Sequence, residues 1–173
     1  MAHGHLAQFA ARSGHQAHAV DFLGVVDGDH FGAVHRQLIR REGRGDLARY
    51  YELQWNPLGG VFDALIANEL DARGVSRRIV GDWSFTAAGM RSAVKVSGTV
   101  QQSADRDERW QVEVTIPFAD LGGAAPKPGE VWRGNFYRYN RDAKHPVELQ
   151  SWSPVFLRGF HPPSRFGYLE FAP

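Results

Sequence analysis

At 173 residues and 43% hydrophobic, the chain is long enough for one domain with a proper core, and no run approaches the ~20 apolar residues of a membrane span. Its 20 basic and 19 acidic side chains leave a formal net charge of +1, so no global field gathers nucleic acid or anionic lipid. Without cysteine there is no disulfide, no thiolate chemistry and no thiolate metal site, and the compartment stays open.

Residues 1–44 differ in character from everything after them. Six of the eight histidines (His3, His5, His15, His18, His30, His35) lie here among Ala, Gly and Arg, with little strand alternation. His15 and His18 at i, i+3 spacing, or His3 and His5, offer a metal reading, but no carboxylate spacing completes a site. The segment shows no basic start followed by an apolar stretch, so no secretory signal is read. It is expected to be short, irregular or helical: a weak helix over 6–19, a strand in DFLGVVDGDHFG with an Asp-Gly turn at Asp27 and Gly28, then a basic loop or helix end in HRQLIRREGRGD.

The organised domain is expected over 45–173. YYELQWN sets Tyr51, Leu53 and Trp55 on one face of a strand and Tyr50, Glu52 and Gln54 on the other. Pro57, Gly59 and Gly60 make a turn, and VFDALIAN returns antiparallel as a hairpin. ELDARGVSRR reads as polar connection, WSF as a short edge segment, MRSAVKVSG as a strand, and TVQQSADRDER as a charged loop.

The strongest pattern follows. WQVEVTIPF places Trp110, Val112, Val114 and Ile116 on one strand face and Gln111, Glu113 and Thr115 on the other. Pro117 cannot donate to a ladder, so the strand stops there, leaving 118–121 room for one helical turn before Gly122 and Gly123. After Pro126, Pro128 and Gly129, VWRGNFYRYN forms a strand with Trp132, Gly134, Phe136 and Arg138 facing one way and Arg133, Asn135, Tyr137 and Tyr139 the other. RDAKHP is a loop, LQSWSPV a short strand or bend, and RGFHPPSRFGYLEF a loop and closing strand. Many short strands, with helical periodicity nearly absent, predict an all-β, antiparallel, jelly-roll-like β-sandwich.

A strand face carrying Arg, Asn and Tyr sets planar hydrogen-bonding groups beside rings, the combination that grips a sugar; the same face also serves merely to stay solvated. Trp55, Trp110 and Trp132 share apolar faces and are expected in the core, whereas Trp83 and Trp152 are open questions. Phe160 is expected to be exposed by its loop, and His161 either donates to a hydroxyl or shapes the turn beside Pro162 and Pro163.

YYELQWNPLGGVFDALI, WQVEVTIPFADLG, PGEVWRGNFYRYNR, WSP and FHPPSRFGYLEF, in that order over about 50–171, resemble carbohydrate-binding module family 9 and its stand-alone bacterial relatives. The resemblance implies noncovalent binding of glycan chain ends of xylan or glucan type, no catalysis, a poly- or oligosaccharide ligand and a possible glycoside hydrolase partner. It suggests an extracellular or periplasmic setting and allows calcium, although the carboxylates form no recognisable ligand string. Phe160 then matches the stacking aromatic, and Gln54, Asn135 and Tyr137 match polar positions. Strand alternation adds Glu52 and Arg133 to those faces, while Trp152 and His161 are further candidates. One departure stands out: residues 1–49 lack the aromatic and the acidic V-E-x-F-type strand expected before YYE. The amino end is therefore either divergent or read from a wrong upstream frame, with true strands missing.

Three other functions compete. A glycosidase would need two of Glu52, Asp63, Glu113 and Asp120 as a catalytic pair, and neither spacing nor pocket supports one. A haem domain on the same fold would need Met90 with Lys95 or His161 as axial ligands. A hydrolase-associated or other interaction module without sugar binding would use the fold alone.

Overall fold

The computed structural model describes residues 19–27, 33–39, 47–100, 102, 107–140, 146–157 and 159–172, with 19–27, 33–39 and 140 as backbone only. Within them the strands are β1 (Ala19–Asp27), β2 (Ala33–Ile39), β3 (Arg49–Trp55), β4 (Val61–Leu70), β5 (Ser76–Asp82), β6 (Arg91–Ser97), β7 (Arg109–Pro117), β8 (Val131–Asn140), β9 (Glu148–Ser151) and β10 (Gly167–Glu170). Every pairing is antiparallel. A three-stranded sheet, β1-β7-β6, packs on a seven-stranded one ordered β10-β8-β2-β3-β4-β5, with β9 also on β8. The expected all-β sandwich is the observed architecture.

Its core is the apolar half of the alternation read from the sequence. Trp110, Val112, Val114 and Ile116 of β7 are buried against Leu53 and Trp55 of β3 and Trp132 and Phe136 of β8. Removing these rings and branched chains from water is the main favourable term in holding the two sheets together. Pro117 ends β7, and Phe118–Leu121 forms one 3-10 turn that buries Phe118 and Leu121 and closes on Gly122 in a left-handed conformation. The β3–β4 hairpin is likewise as expected: Asn56 accepts hydrogen bonds at Oδ1 from the backbone of Leu58 and Gly60 across the turn.

Three expectations are corrected. HRQLIRR is not a loop or helix end up to residue 39: β2 is an interior strand, inserted between β3 and β8. β1 pairs with β7 over its whole length, so the backbone of 19–39 joins both sheets, against the reading that strands are missing there. A strand flanked by two others is specified by their unpaired N–H and C=O groups, a demand that AVHRQLI does not display in its own pattern. Finally, the ends of ELDARGVSRR belong to strands β4 and β5 rather than to a connection, and Trp83 and Ser84 form a turn rather than an edge strand. β5 is an edge strand, mostly exposed on both faces, and carries no alternation to read. The helix expected over 6–19 and the Asp27-Gly28 turn fall outside the described residues, apart from their strand residues 19 and 27. Among the described residues no helix is long and apolar enough to cross a membrane.

Candidate functional site

The seven-stranded sheet has a second face, pointing away from the core. β3 contributes Tyr50, Glu52 and Gln54 to it, β4 contributes Phe62, Ala64, Ile66 and Asn68 by register, and β8 contributes Arg133, Asn135 and Tyr137. A cluster of Tyr50, Ala64, Ile66, Tyr137, Val155, Phe160 and Phe166 shows that the segment between β9 and β10 lies across this face. Polar residues hold it there. Asn135 is fully buried, and its amide donates to the Ser153 carbonyl (2.9 Å) and accepts from the Ser153 N–H (2.9 Å). Arg133 donates to the carbonyls of Ser164 (3.1 Å) and Phe166 (2.8 Å), and Ser76 Oγ donates to the carbonyl of His161.

Beside this strap sits a compact polar group. Glu52 is buried, and Gln54 Nε2 donates to its Oε1 at 2.7 Å. His161 Nδ1 lies 2.6 Å from the Tyr50 hydroxyl and 3.7 Å from Glu52 Oε2. The tyrosine oxygen also receives Asn68 Nδ2 at 3.4 Å, and Asn68 in turn donates to Ser76 at 2.7 Å. Burial holds the Tyr50 hydroxyl well above the usual tyrosine range. It therefore keeps its proton, and its contact with His161 Nδ1 fixes the plane of the imidazole. The His161 side chain stays one-third exposed, so the ring is both oriented and reachable.

Tyr137 stacks on Phe160 with centroids 4.2 Å apart. Burial, with the nearby Glu52 charge adding to it, raises its hydroxyl as well. The neighbouring Asn135 amide acts against that rise, and the Tyr137 hydroxyl meets no acceptor of hydrogen-bond geometry among the described residues. A buried, protonated and unpartnered hydroxyl is an open donor, and leaving it unpaired costs about 1–3 kcal/mol.

The structure thus brings Glu52, Gln54 and His161 together, sets Tyr137 and Phe160 beside them, and gives Arg133 and Asn135 the task of fixing the strap. The expectation that Phe160 is an exposed ring is corrected: it is 8% exposed, because its loop folds back onto Tyr137. Trp152 is separate. It is half exposed and meets Phe136, a member of the core cluster between the sheets, edge-on at 5.6 Å. Tyr50 is not among the residues the sequence singles out, although it alternates with Glu52 and Gln54 and its face is legible there; Asn68 and Ser76 carry no sequence signal, since only the β3–β4–β5 register aligns them.

The competing chemistries are dispersed. Glu52 lies on the outer face, Asp63 accepts from the N–H of Ala87, Glu113 is exposed on β7, and Asp120 accepts from the N–H of Gly89. Met90 packs at the margin of the core cluster, away from His161 on the far face. Among the described residues no three His, Asp or Glu side chains gather as a metal cage; the amino-terminal pairs His3 with His5 and His15 with His18 lie outside them.

No family model and no curated protein sequence matches the chain. Among solved structures it is similar to one described as a "putative carbohydrate-binding protein" from Bacteroides uniformis ATCC 8492, with a TM-score of 0.57 and 19% sequence identity, covering 88% of this chain and 72% of that one. That likeness concerns the fold.

Proposed function

We propose that the chain binds carbohydrate noncovalently on the outer face of its larger sheet, at the group formed by Glu52, Gln54, His161 and Tyr137. The observation that carries this reading is the composition of that group. A buried carboxylate, an amide and an oriented imidazole stand beside an unpartnered tyrosine hydroxyl and a stacked aromatic pair. Sugar hydroxyls need planar donors and acceptors held rigidly, and the stacked pair beneath supplies that rigidity. The resemblance to carbohydrate-binding module family 9 and the description of the Bacteroides uniformis structure as a "putative carbohydrate-binding protein" support the same class. On the resemblance, the ligand is the end of a xylan- or glucan-type chain, and the role is accessory to glycoside hydrolysis rather than catalytic.

The test is calorimetric titration of the folded chain with xylo- and cello-oligosaccharides beside their end-reduced forms. Saturable binding that disappears on end reduction is expected. Glu52→Gln, which keeps shape and removes charge, should weaken it by about 2 kcal/mol, the size of a hydrogen bond to a charged group. Absence of heat from a well-folded chain with every sugar overturns the reading.

A further inference from the structure

An exposed pair of rings lies on the same outer face, one strand beyond Gln54. Phe62 is the β4 residue opposite Gln54, and its ring lies 6.0 Å from that of Trp83. Trp83 is 65% exposed and Phe62 39%, although rings of this size are ordinarily hidden. Both are held in place. The Trp83 indole lies against Gly81, where a Cβ would stand 2.5 Å from the ring, so the absence of a side chain there seats the indole on the backbone. Asp82 accepts from the N–H and hydroxyl of Ser84, which fixes the turn on one side of Trp83. Asp63 accepts from the N–H of Ala87 and the hydroxyl of Thr86, which fixes the chain on the other. Those hydrogen bonds to Ser84 also hold the Asp82 carboxyl below its usual range.

We infer that Trp83 and Phe62 form a second stacking subsite, taking a further sugar ring of the oligosaccharide whose end occupies the Glu52–Gln54–His161 group. The inference rests on the proposed function and extends it from a chain-end contact to a site that reads glycan length. The occupant is argued from continuity. Adjacent strands are about 5 Å apart, so a chain leaving Gln54 toward β5 meets Phe62 next and the Trp83 ring after it. A preorganised aromatic platform gives up little conformational freedom on binding, and an indole offers a broad face to the C–H side of a pyranose.

The experiment measures affinity against chain length, with cello- and xylo-oligosaccharides of two to six units. Wild type should gain affinity with length, and Trp83→Ala should lose about tenfold for the longest sugars while leaving the shortest binder unchanged, as expected for one lost ring contact. Gly81→Ala should lower the long-chain affinity in the same way by lifting the indole, and Trp83→Phe should restore part of it. Saturation should also shift the tryptophan emission of wild type but not of Trp83→Phe, because Trp55, Trp110 and Trp132 are buried and Trp152, though half exposed, packs on Phe136 apart from this platform. If wild type binds sugars and Trp83→Ala binds every length as tightly as wild type does, the subsite is overturned and the proposed function stands. If a folded wild type binds none of the sugars, the proposed function falls and the subsite with it. A loss equal at every length, the shortest included, overturns the subsite by placing Trp83 in the chain-end contact itself.

Discussion

Tyr50 and Tyr137 sit where a phenolate would be costly: both hydroxyls are withdrawn from water, and both lie near the Glu52 carboxylate. Their raised ionisation has a definite sign for stability. The folded state holds each proton more firmly than the unfolded chain does, so the contribution is complete below the ordinary tyrosine value of about 10 and is lost as pH rises above it. Absorbance titration near 295 nm should find that two of the five tyrosines ionise only together with unfolding, and urea midpoints should fall above about pH 10. Reversible ionisation of all five near pH 10 in a folded chain would contradict this. Alternation alone placed Tyr137 with Asn135 and Tyr50 with Glu52; it did not show that a loop would bury them, because burial came from a segment about 20 residues downstream of β8 and over 100 downstream of β3.

At the scale of the element, the strap between β9 and β10 decides what the outer face can do. Among its described residues the regular structure is a single 3-10 turn at Pro163–Arg165, so side chains of the sheet satisfy its backbone instead: Asn135 for Ser153, Arg133 for Ser164 and Phe166, Ser76 for His161. Ser153 adds a hydrogen bond from its own hydroxyl to the Arg165 carbonyl, tying the two arms of the strap together. Asn135→Ala would leave two partly buried backbone groups of Ser153 without their side-chain partner, and a loss of about 1–3 kcal/mol in urea unfolding is expected. Sugar affinity should fall with it, because Phe160 and His161 ride on the strap. Full stability in that variant would show that the amide does not anchor the loop. The sequence sets Asn135 and Arg133 on this face but does not show the backbone groups they meet: a planar polar group suits a backbone carbonyl as well as a hydroxyl, and only proximity chooses.

For the whole molecule, the unequal sheets matter most. β7 carries the most continuous apolar face and is covered along both edges, by β1 over nine paired positions and by β6 over seven. Without β1, β7 would present an open edge beside a large apolar core, the arrangement that leads to edge-to-edge association. A variant starting at residue 28 is therefore expected to lose cooperative unfolding and to self-associate, as read by light scattering; a monomeric, cooperatively unfolding product would show β1 to be dispensable. The wider sheet extends beyond the core at β4 and β5, and this overhang is where Phe62 and Trp83 reach solvent.

By itself the sequence determined the sandwich and most of its strands. A period of two in β3, β6, β7 and β8, broken by proline and glycine, has one compact solution, and it assigns Trp55, Trp110 and Trp132 to the core without reference to any distant residue. Only the tertiary structure decided the rest. β2 and β5 are strands because neighbouring strands supply their hydrogen bonds, and Phe160 is buried because a loop folds back onto β8. Glu52 meets His161 across more than 100 residues of chain because the strap crosses the sheet above it. Local pattern encodes which face of an element is apolar; which groups meet on the remaining face is set by long-range pairing, and the candidate site lies there.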